Sequence, residues 1–194
     1  MNIPRHCFRE YDIRGVADVD LSDALARSLG LHFALILRRE ATGSGRPWVT
    51  VGRDGRLSSN RLFAALTGGL LDGGVDVVDV GVGPTPLLYF AAHHLGSDGA
   101  LMITASHNPG PDNGFKLMRG KASFFGADLQ RLADLMEADE ADAEKRPPAR
   151  GDLSRQDLEG AYIEHVRRSS RLGTTDLRFV VDAGNGSAGP LGVA

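Results

Sequence analysis

The sequence predicts an α/β fold, a mostly parallel mixed sheet sandwiched between helices, and three observations carry that expectation. Segments rich in β-branched residues alternate with segments whose apolar residues recur at helical spacing. The strand-like segments, WVTVG and GALMI among them, are largely apolar, as strands covered on both faces must be. Glycine is abundant, 25 of 194 residues, and clusters in short loops that suit tight strand–helix turns or backbone approaching a ligand.

Taken in order, residues 8–16 (FREYDIRGV) alternate imperfectly and close on Arg-Gly, a short strand and turn. From Leu21 to about Arg39 the pattern is helical, with Asp20 or Ser22 placed to cap it. The loop TGSGRP leads to the strand WVTVG, and RDGRLSSN precedes a helix that begins near Ser58 or Ser59 and stops at Gly73-Gly74. VDVVDVGV reads as a strand, GPTP as a rigid turn, and LLYFAAHHL as a helix. GALMITAS is the next buried strand, FKLMRG a return strand, and ADLQRLADLMEADEAD an amphipathic helix. The charged, proline-containing run 141–152 (ADAEKRPPARGD) is the expected linker, with one domain over 1–140. Beyond it, 153–194 reads as the truncated beginning of a second domain: a helix in DLEGAYIEHVRRSSRL, then a strand at 177–183 and a glycine loop. The expectation is therefore a fragment of a longer protein, whose unpaired strand invites a strand-swapped dimer.

Bulk properties exclude several classes. The formal charge of −3 gives no global field for nucleic acid or an anionic membrane, so an anionic substrate must be held by a local basic cluster. The single cysteine, Cys7, forms no internal disulfide and no zinc site by itself. The first residues lack the apolar core of a signal peptide, and no apolar run approaches a membrane span, which together predict a cytoplasmic protein.

In sheets of this kind ligands bind beyond the carboxyl ends of the strands, and the stretch ITASHNPGPDNGFKLM (103–118) lies at such an end. Ser106 beside His107 invites a hydrolase reading. Neighbours in an extended segment point to opposite sides, however, and the G-x-S-x-G elbow is absent. Alone, Ser-His-Asn-Pro is a turn sequence, but the full stretch is longer than a turn needs. A phosphoryl carrier fits it better, because a phosphoserine wants cationic and N–H donors about its oxygens. Lys116, His107 and Arg14 could supply them, and Gly110 and Gly114 would let backbone come close.

Five blocks in order carry a family resemblance: FREYDIRG, VGRDGRLSS, GPTPLLYFA, TASHNPGPDNGFK and FVVDAGNGSAG. The chain resembles the α-D-phosphohexomutases, the phosphomannomutase/phosphoglucomutase superfamily, in domain 1 and the opening of domain 2. The resemblance implies reversible phosphoryl transfer between the 1- and 6-positions of a hexose phosphate, through a phosphoserine and a bisphosphate intermediate. Ser106 would be that phosphoserine and a ligand of Mg²⁺, with hexose 1,6-bisphosphate as activator. Lys116 and Arg14 would stabilise transferring charge, His107 would move a proton or touch phosphate, and Tyr11 and Asn108 would line the sugar site. The segment Tyr11-Asp12-Ile13-Arg14-Gly15 resembles the mannose/glucose branch rather than the glucosamine one. The family's metal, sugar-recognition and phosphate-clamping loops have no counterpart in the sequence, so the chain by itself is expected to lack mutase turnover.

Two rivals stand beside this. Gly184 to Gly189 spells G-x-G-x-x-G, which would suit a dinucleotide-binding domain, though no acidic residue follows about 20 positions on. The other is a non-catalytic phosphate-binding relic. Arg53 and Asp54 are read either as supports of the serine loop or as a local ion pair, and His6, His32, His93, His94 and His165 as ordinary packing or surface histidines.

Overall fold

The computed structural model describes residues 2–41, 44–138, 149–170, 176, 178 and 180–193. Its first strand, β1 (Ile13–Val16), follows a short 3₁₀ turn, and helix α1 (Asp23–Glu40) starts where Ser22 Oγ accepts the Leu25 N–H at 3.1 Å. That satisfies one of the orphan donors of the first turn and settles Ser22 over Asp20 as the cap. Strand β2 (Trp48–Arg53) and helix α2 (Ser59–Asp72) follow, then β3 (Asp76–Val82) and α3 (Thr85–Leu95). Gly96, at φ 72°, closes α3 in the left-handed conformation that a residue without Cβ adopts most readily. Strands β4 (Gly99–Ile103), β5 (Asp112–Arg119) and β6 (Ala122–Phe124) lead to α4 (Ala127–Glu137). Strand β7 (Leu153–Arg155), α5 (Glu159–Ser169) and the one-turn α6 (Gly189–Val193) complete the described elements.

The sheet order is β1-β5-β4-β2-β3-β7, with β6 paired to β5. Strands β4, β2, β3 and β7 run parallel, whereas β5 returns antiparallel to both β4 and β1. Alternation along β4 shows how the sheet divides the core: Leu101 and Ile103 enter one apolar layer, Ala100 and Met102 the other. The first layer contains Leu25, Leu29 and Phe33 of α1, Leu62, Leu66 and Leu70 of α2, and Leu129 and Leu132 of α4. The second contains Leu87, Leu88, Ala91 and Ala92 of α3, with Leu158 at the start of α5. Each fully buried leucine contributes roughly 2 kcal/mol through the apolar surface it removes from water.

Helices α1 and α2 lie so close that side chains are excluded at their contact. A Cβ on Gly69 would stand 1.9 Å from Arg27 O, and one on Gly30 would stand 2.2 Å from Leu66 O. Glycine is required there by backbone proximity, not by turn geometry.

Three expectations change. The return strand begins at Asp112 rather than Phe115, because Asp112, Asn113 and Gly114 pair with β1 at Val16, Gly15 and Arg14. Residues 153–155, expected to open a separate domain, instead add a parallel edge strand to β3. Gly151 lets the chain come in beside Val75, and its N–H donates to Leu71 O at 2.8 Å, so the backbone is delivered to the open edge of β3. Most of the expected linker, residues 141–148, lies outside the described residues. The described part of the expected strand at 177–183 (178 and 180–183) forms no ladder, and Val180 and Val181 are exposed. Apolar, β-branched sequence favours a strand only where a neighbouring strand accepts its hydrogen bonds, and among the described residues none does.

Candidate active site

Strand β4 ends at Ile103, and the chain then turns sharply. Thr104 N–H still pairs with Gly114 O at 3.0 Å, while Thr104 Oγ1 accepts the Ser106 N–H at 2.9 Å. Ser106 itself has φ 57°, one of two non-glycine residues in the left-handed region among the described residues. That conformation costs a residue with a Cβ about 1–2 kcal/mol, and such strain is held by the surroundings. It also overturns the sequence-based geometry for the pair that follows. Adjacent side chains oppose one another only in extended backbone. Because Ser106 is not extended, its Oγ lies 3.3 Å from His107 Nδ1.

Two cations approach from β1 and β5. In the ladder Lys116 pairs with Met102 of β4 and Arg14 pairs with Gly114. Both grip one buried carboxylate: Lys116 Nζ donates to Asp12 Oδ2 at 2.5 Å and Arg14 Nε donates to the same oxygen at 2.9 Å. Burial by itself would raise the Asp12 pKa, but hydrogen bonds and charge from Arg14 and Lys116 outweigh it and hold the carboxyl below its ordinary value. Two cations against one anion leave a local charge of +1, the basic spot that the overall charge does not provide. Arg14 then reaches the serine loop, donating from Nη1 to Asn108 Oδ1 at 2.9 Å, and Asn108 donates to Asp112 Oδ2 at 2.9 Å.

Of the expected residues, the structure joins Ser106 to His107, and joins Arg14, Lys116 and Asn108 through Asp12 and the loop. Tyr11 stands apart, exposed, with its ring 6.1 Å from that of Phe125.

Sequence reasoning missed the residue that organises the loop, Arg56. Its guanidinium donates to the carbonyls of Pro109 (2.6 Å), Asn108 (2.7 Å), Asp112 (2.9 Å) and Ser106 (3.1 Å), with Gly110 O at 3.4 Å. Its Nε donates to Asp54 Oδ2 at 3.1 Å. Asp54 also accepts Ser59 Oγ–H at 2.6 Å, and Asn113, wholly buried, donates to Ser58 Oγ and Ser59 Oγ. The second arginine of RDGR was the available signal, since a loop crowded with carbonyls needs a planar, many-donor partner. Asp54 therefore supports the serine loop, through Arg56. Arg53 does not: it pairs with Asp79 at 2.8 Å and Asn60, and lies over the Phe63 ring.

Ser106, His107, Asn108, Arg56 and Thr85 line a cavity of about 580 Å³, to whose wall the loop 184–188 also contributes. This glycine loop lacks the context of a dinucleotide fingerprint, because no described strand precedes it and only the single turn of α6 follows. Nor do the described residues form a magnesium cage at Ser106. Asp54 is committed to Arg56 and Ser59, Asp112 accepts from Asn108, and Asp12 is paired with Lys116 and Arg14. Among the described residues the one cluster with metal-ligand spacing is His6, Cys7 and Asp20. Burial and the charge of Asp20 push the Cys7 thiol up to about 11, which disfavours the thiolate a metal needs. No described helix is long and apolar enough to cross a membrane.

Residues 5–143 match the family model described as phosphoglucomutase/phosphomannomutase, alpha/beta/alpha domain I. The chain is 37% identical over 191 residues to a phosphomannomutase of Escherichia coli K12, covering 95% of this chain and 40% of that protein. It is 36% identical over 188 residues to a phosphoglucomutase of Neisseria meningitidis serogroup B, covering 97% and 39%. Among solved structures, a phosphoglucomutase/phosphomannomutase family protein from Burkholderia thailandensis superposes with a TM-score of 0.86 at 38% identity. That match covers 99% of this chain and 42% of the other. The chain thus spans about two fifths of the length of the relatives it matches.

Proposed function

Because the chain belongs to the phosphoglucomutase/phosphomannomutase family, we propose that Ser106 carries a phosphoryl group exchanged between the 1- and 6-positions of a hexose phosphate. One observation supports this above the rest. A serine held in a strained left-handed conformation heads a loop whose Asn108 is gripped by Arg14, one of two cations that share a single buried carboxylate.

In that reading the phosphoryl group leaves Ser106 Oγ for a sugar hydroxyl, and the serine recovers a phosphoryl from the resulting bisphosphate. As the new P–O bond forms, the attacking hydroxyl gives up a proton. As the old bond breaks, Ser106 Oγ takes one. His107 Nδ1, at 3.3 Å, is the group placed to hold it. Lys116 and Arg14 each keep N–H donors beyond those spent on Asp12 and Asn108, so they can meet the charge spread over the equatorial oxygens. Tyr11 and Asn108 face the sugar in this scheme. Hexose 1,6-bisphosphate, as activator, would charge an empty serine. Among the described residues Mg²⁺ would find its ligands in the phosphoryl oxygens on Ser106, where it would spread the charge of the transferring group.

The proposal places the protein in the cytoplasm, where a free thiol such as Cys7 stays reduced. It also keeps a dimer paired through 177–183, supported by the exposure of Val180 and Val181. Incubation with glucose 1,6-bisphosphate followed by intact-mass and peptide mapping tests the carrier role. A phosphate on Ser106 is expected, and a phosphate on another residue overturns it. The 194-residue chain alone is expected to show no sustained isomerisation of glucose 1-phosphate.

A further inference from the structure

Arg56 differs from the other two cations of the site in having nothing left to offer a ligand. A guanidinium has five N–H donors. Here Nε is spent on Asp54, Nη1 on Pro109 O and Asp112 O, and Nη2 on Ser106 O and Asn108 O. The side chain is mostly buried and its charge is matched by Asp54. Arg56 therefore acts on the loop backbone and cannot bind phosphate itself.

What it does to that backbone follows from peptide geometry. In a trans peptide the C=O and the following N–H point in opposite directions, and no described peptide bond is cis. Drawing Ser106 O toward Arg56 turns the His107 N–H away from it, and drawing Pro109 O inward turns the Gly110 N–H away. The carbonyls of Asn108 and Gly110 precede Pro109 and Pro111, which have no N–H to expose. So the loop presents two outward amides and hides its carbonyls. Neither the His107 nor the Gly110 amide donates to any described residue, and both residues line the cavity that holds Ser106. The Asn108 N–H between them is spent on Ala105 O and Pro109 has none, so these are the two free amides of the turn at the cavity wall, and unspent backbone N–H groups favour an anion.

We propose that Arg56 is a positioning residue that fixes the 106–112 loop so that the His107 and Gly110 amides form a backbone cradle for the phosphoryl group at Ser106. The proline spacing then has a purpose. Pro109 and Pro111 let the carbonyls of Asn108 and Gly110 face the guanidinium without leaving an N–H behind either of them. The cradle rests on the reading of Ser106 as a phosphoryl carrier, but it can be tested apart from that reading.

The test is a titration of the ¹⁵N-labelled 194-residue chain with inorganic phosphate, followed at individual amides. Downfield movement of the His107 and Gly110 amide protons is expected, with at least a fivefold weaker response in R56K, compared at a temperature where that variant keeps native amide dispersion. Lysine keeps the charge but cannot supply the fork. G110P, which deletes one of the two donors and leaves Arg56 in place, is expected to weaken the response as well, and it serves if R56K fails to fold. The cradle is overturned if the two wild-type amides do not move, or if R56K and G110P respond like wild type. A chain that shows the amide response but takes no phosphate onto Ser106 from glucose 1,6-bisphosphate would defeat the carrier reading and leave the cradle standing as an anion site.

Discussion

Lys116 Nζ stands 2.5 Å from Asp12 Oδ2, across the sheet from β5 to the turn before β1. That ion pair sits almost wholly out of water on its acidic side and is shared with Arg14. It fixes two long cationic side chains, of which Arg14 also grips Asn108 of the serine loop, so their ordering is accomplished before any ligand arrives.

The first prediction concerns Asp12. D12N leaves two partly buried cations without their counter-charge and should cost about 1–3 kcal/mol of unfolding free energy, measured by urea titration. The pH dependence follows from the lowered pKa. A carboxyl held below its ordinary value of about 3.9 contributes stability that is complete above that value and is lost as pH falls through the lowered one. Wild type should therefore weaken more steeply than D12N below about pH 4, and parallel curves for the two proteins would count against the shared ion pair.

Strain at Ser106 gives the second. Glycine relieves the left-handed penalty, so S106G should gain about 0.5–1 kcal/mol even as it removes the phosphorylated group. S106A removes the hydroxyl and keeps the strain. Paired urea titrations of the two variants read this directly, and equal stability would mean that the backbone there is unstrained.

Transfer from Ser106 should depend on both cations. K116M and R14M are each expected to slow release of ³²P from the phosphorylated serine to glucose 1-phosphate by about 10²–10³-fold, the usual loss when one donor to developing charge is removed. Rapid-quench measurement checks it, and a change confined to KM would recast the residue as one that only binds.

A fourth prediction tests the helix contact. G69A forces a Cβ into the backbone of α1 at Arg27 and should destabilise the fold by about 1–3 kcal/mol, seen as a lower urea midpoint with unchanged slope. An alanine at Gly45, where an added Cβ meets nothing within 4 Å, should leave the midpoint unchanged.

Much of the fold was legible because its signals are local. The period of α1 and its Ser22 cap, the β-branched run of β3 and the glycine stop of α2 each depend on residues a few positions apart. Ser106, His107, Lys116 and Arg14 could be picked out as candidates for the same reason, lying in recognisable short blocks. Arg56 could not. Apart from Asp54, its partners are 50 to 56 residues away and are carbonyl oxygens, which every residue possesses, so no side-chain pattern announces them. Asp12 read as one letter of YDIRG, and its role as common partner of Arg14 and Lys116 came into being only when β5 was laid beside β1.

The sequence by itself determined the alternation of strands and helices, the apolar faces that make two core layers, and the placing of a serine loop at a strand end. Tertiary structure decided the rest: that Ser106 is left-handed and so meets its neighbour His107, that 153–155 closes an edge of this sheet, and that one arginine gathers the loop's carbonyls. Periodicity and chain chemistry act over a few residues and can be read along the chain. Conformational strain and backbone hydrogen bonds to a distant side chain exist only once packing has chosen which groups are left without water.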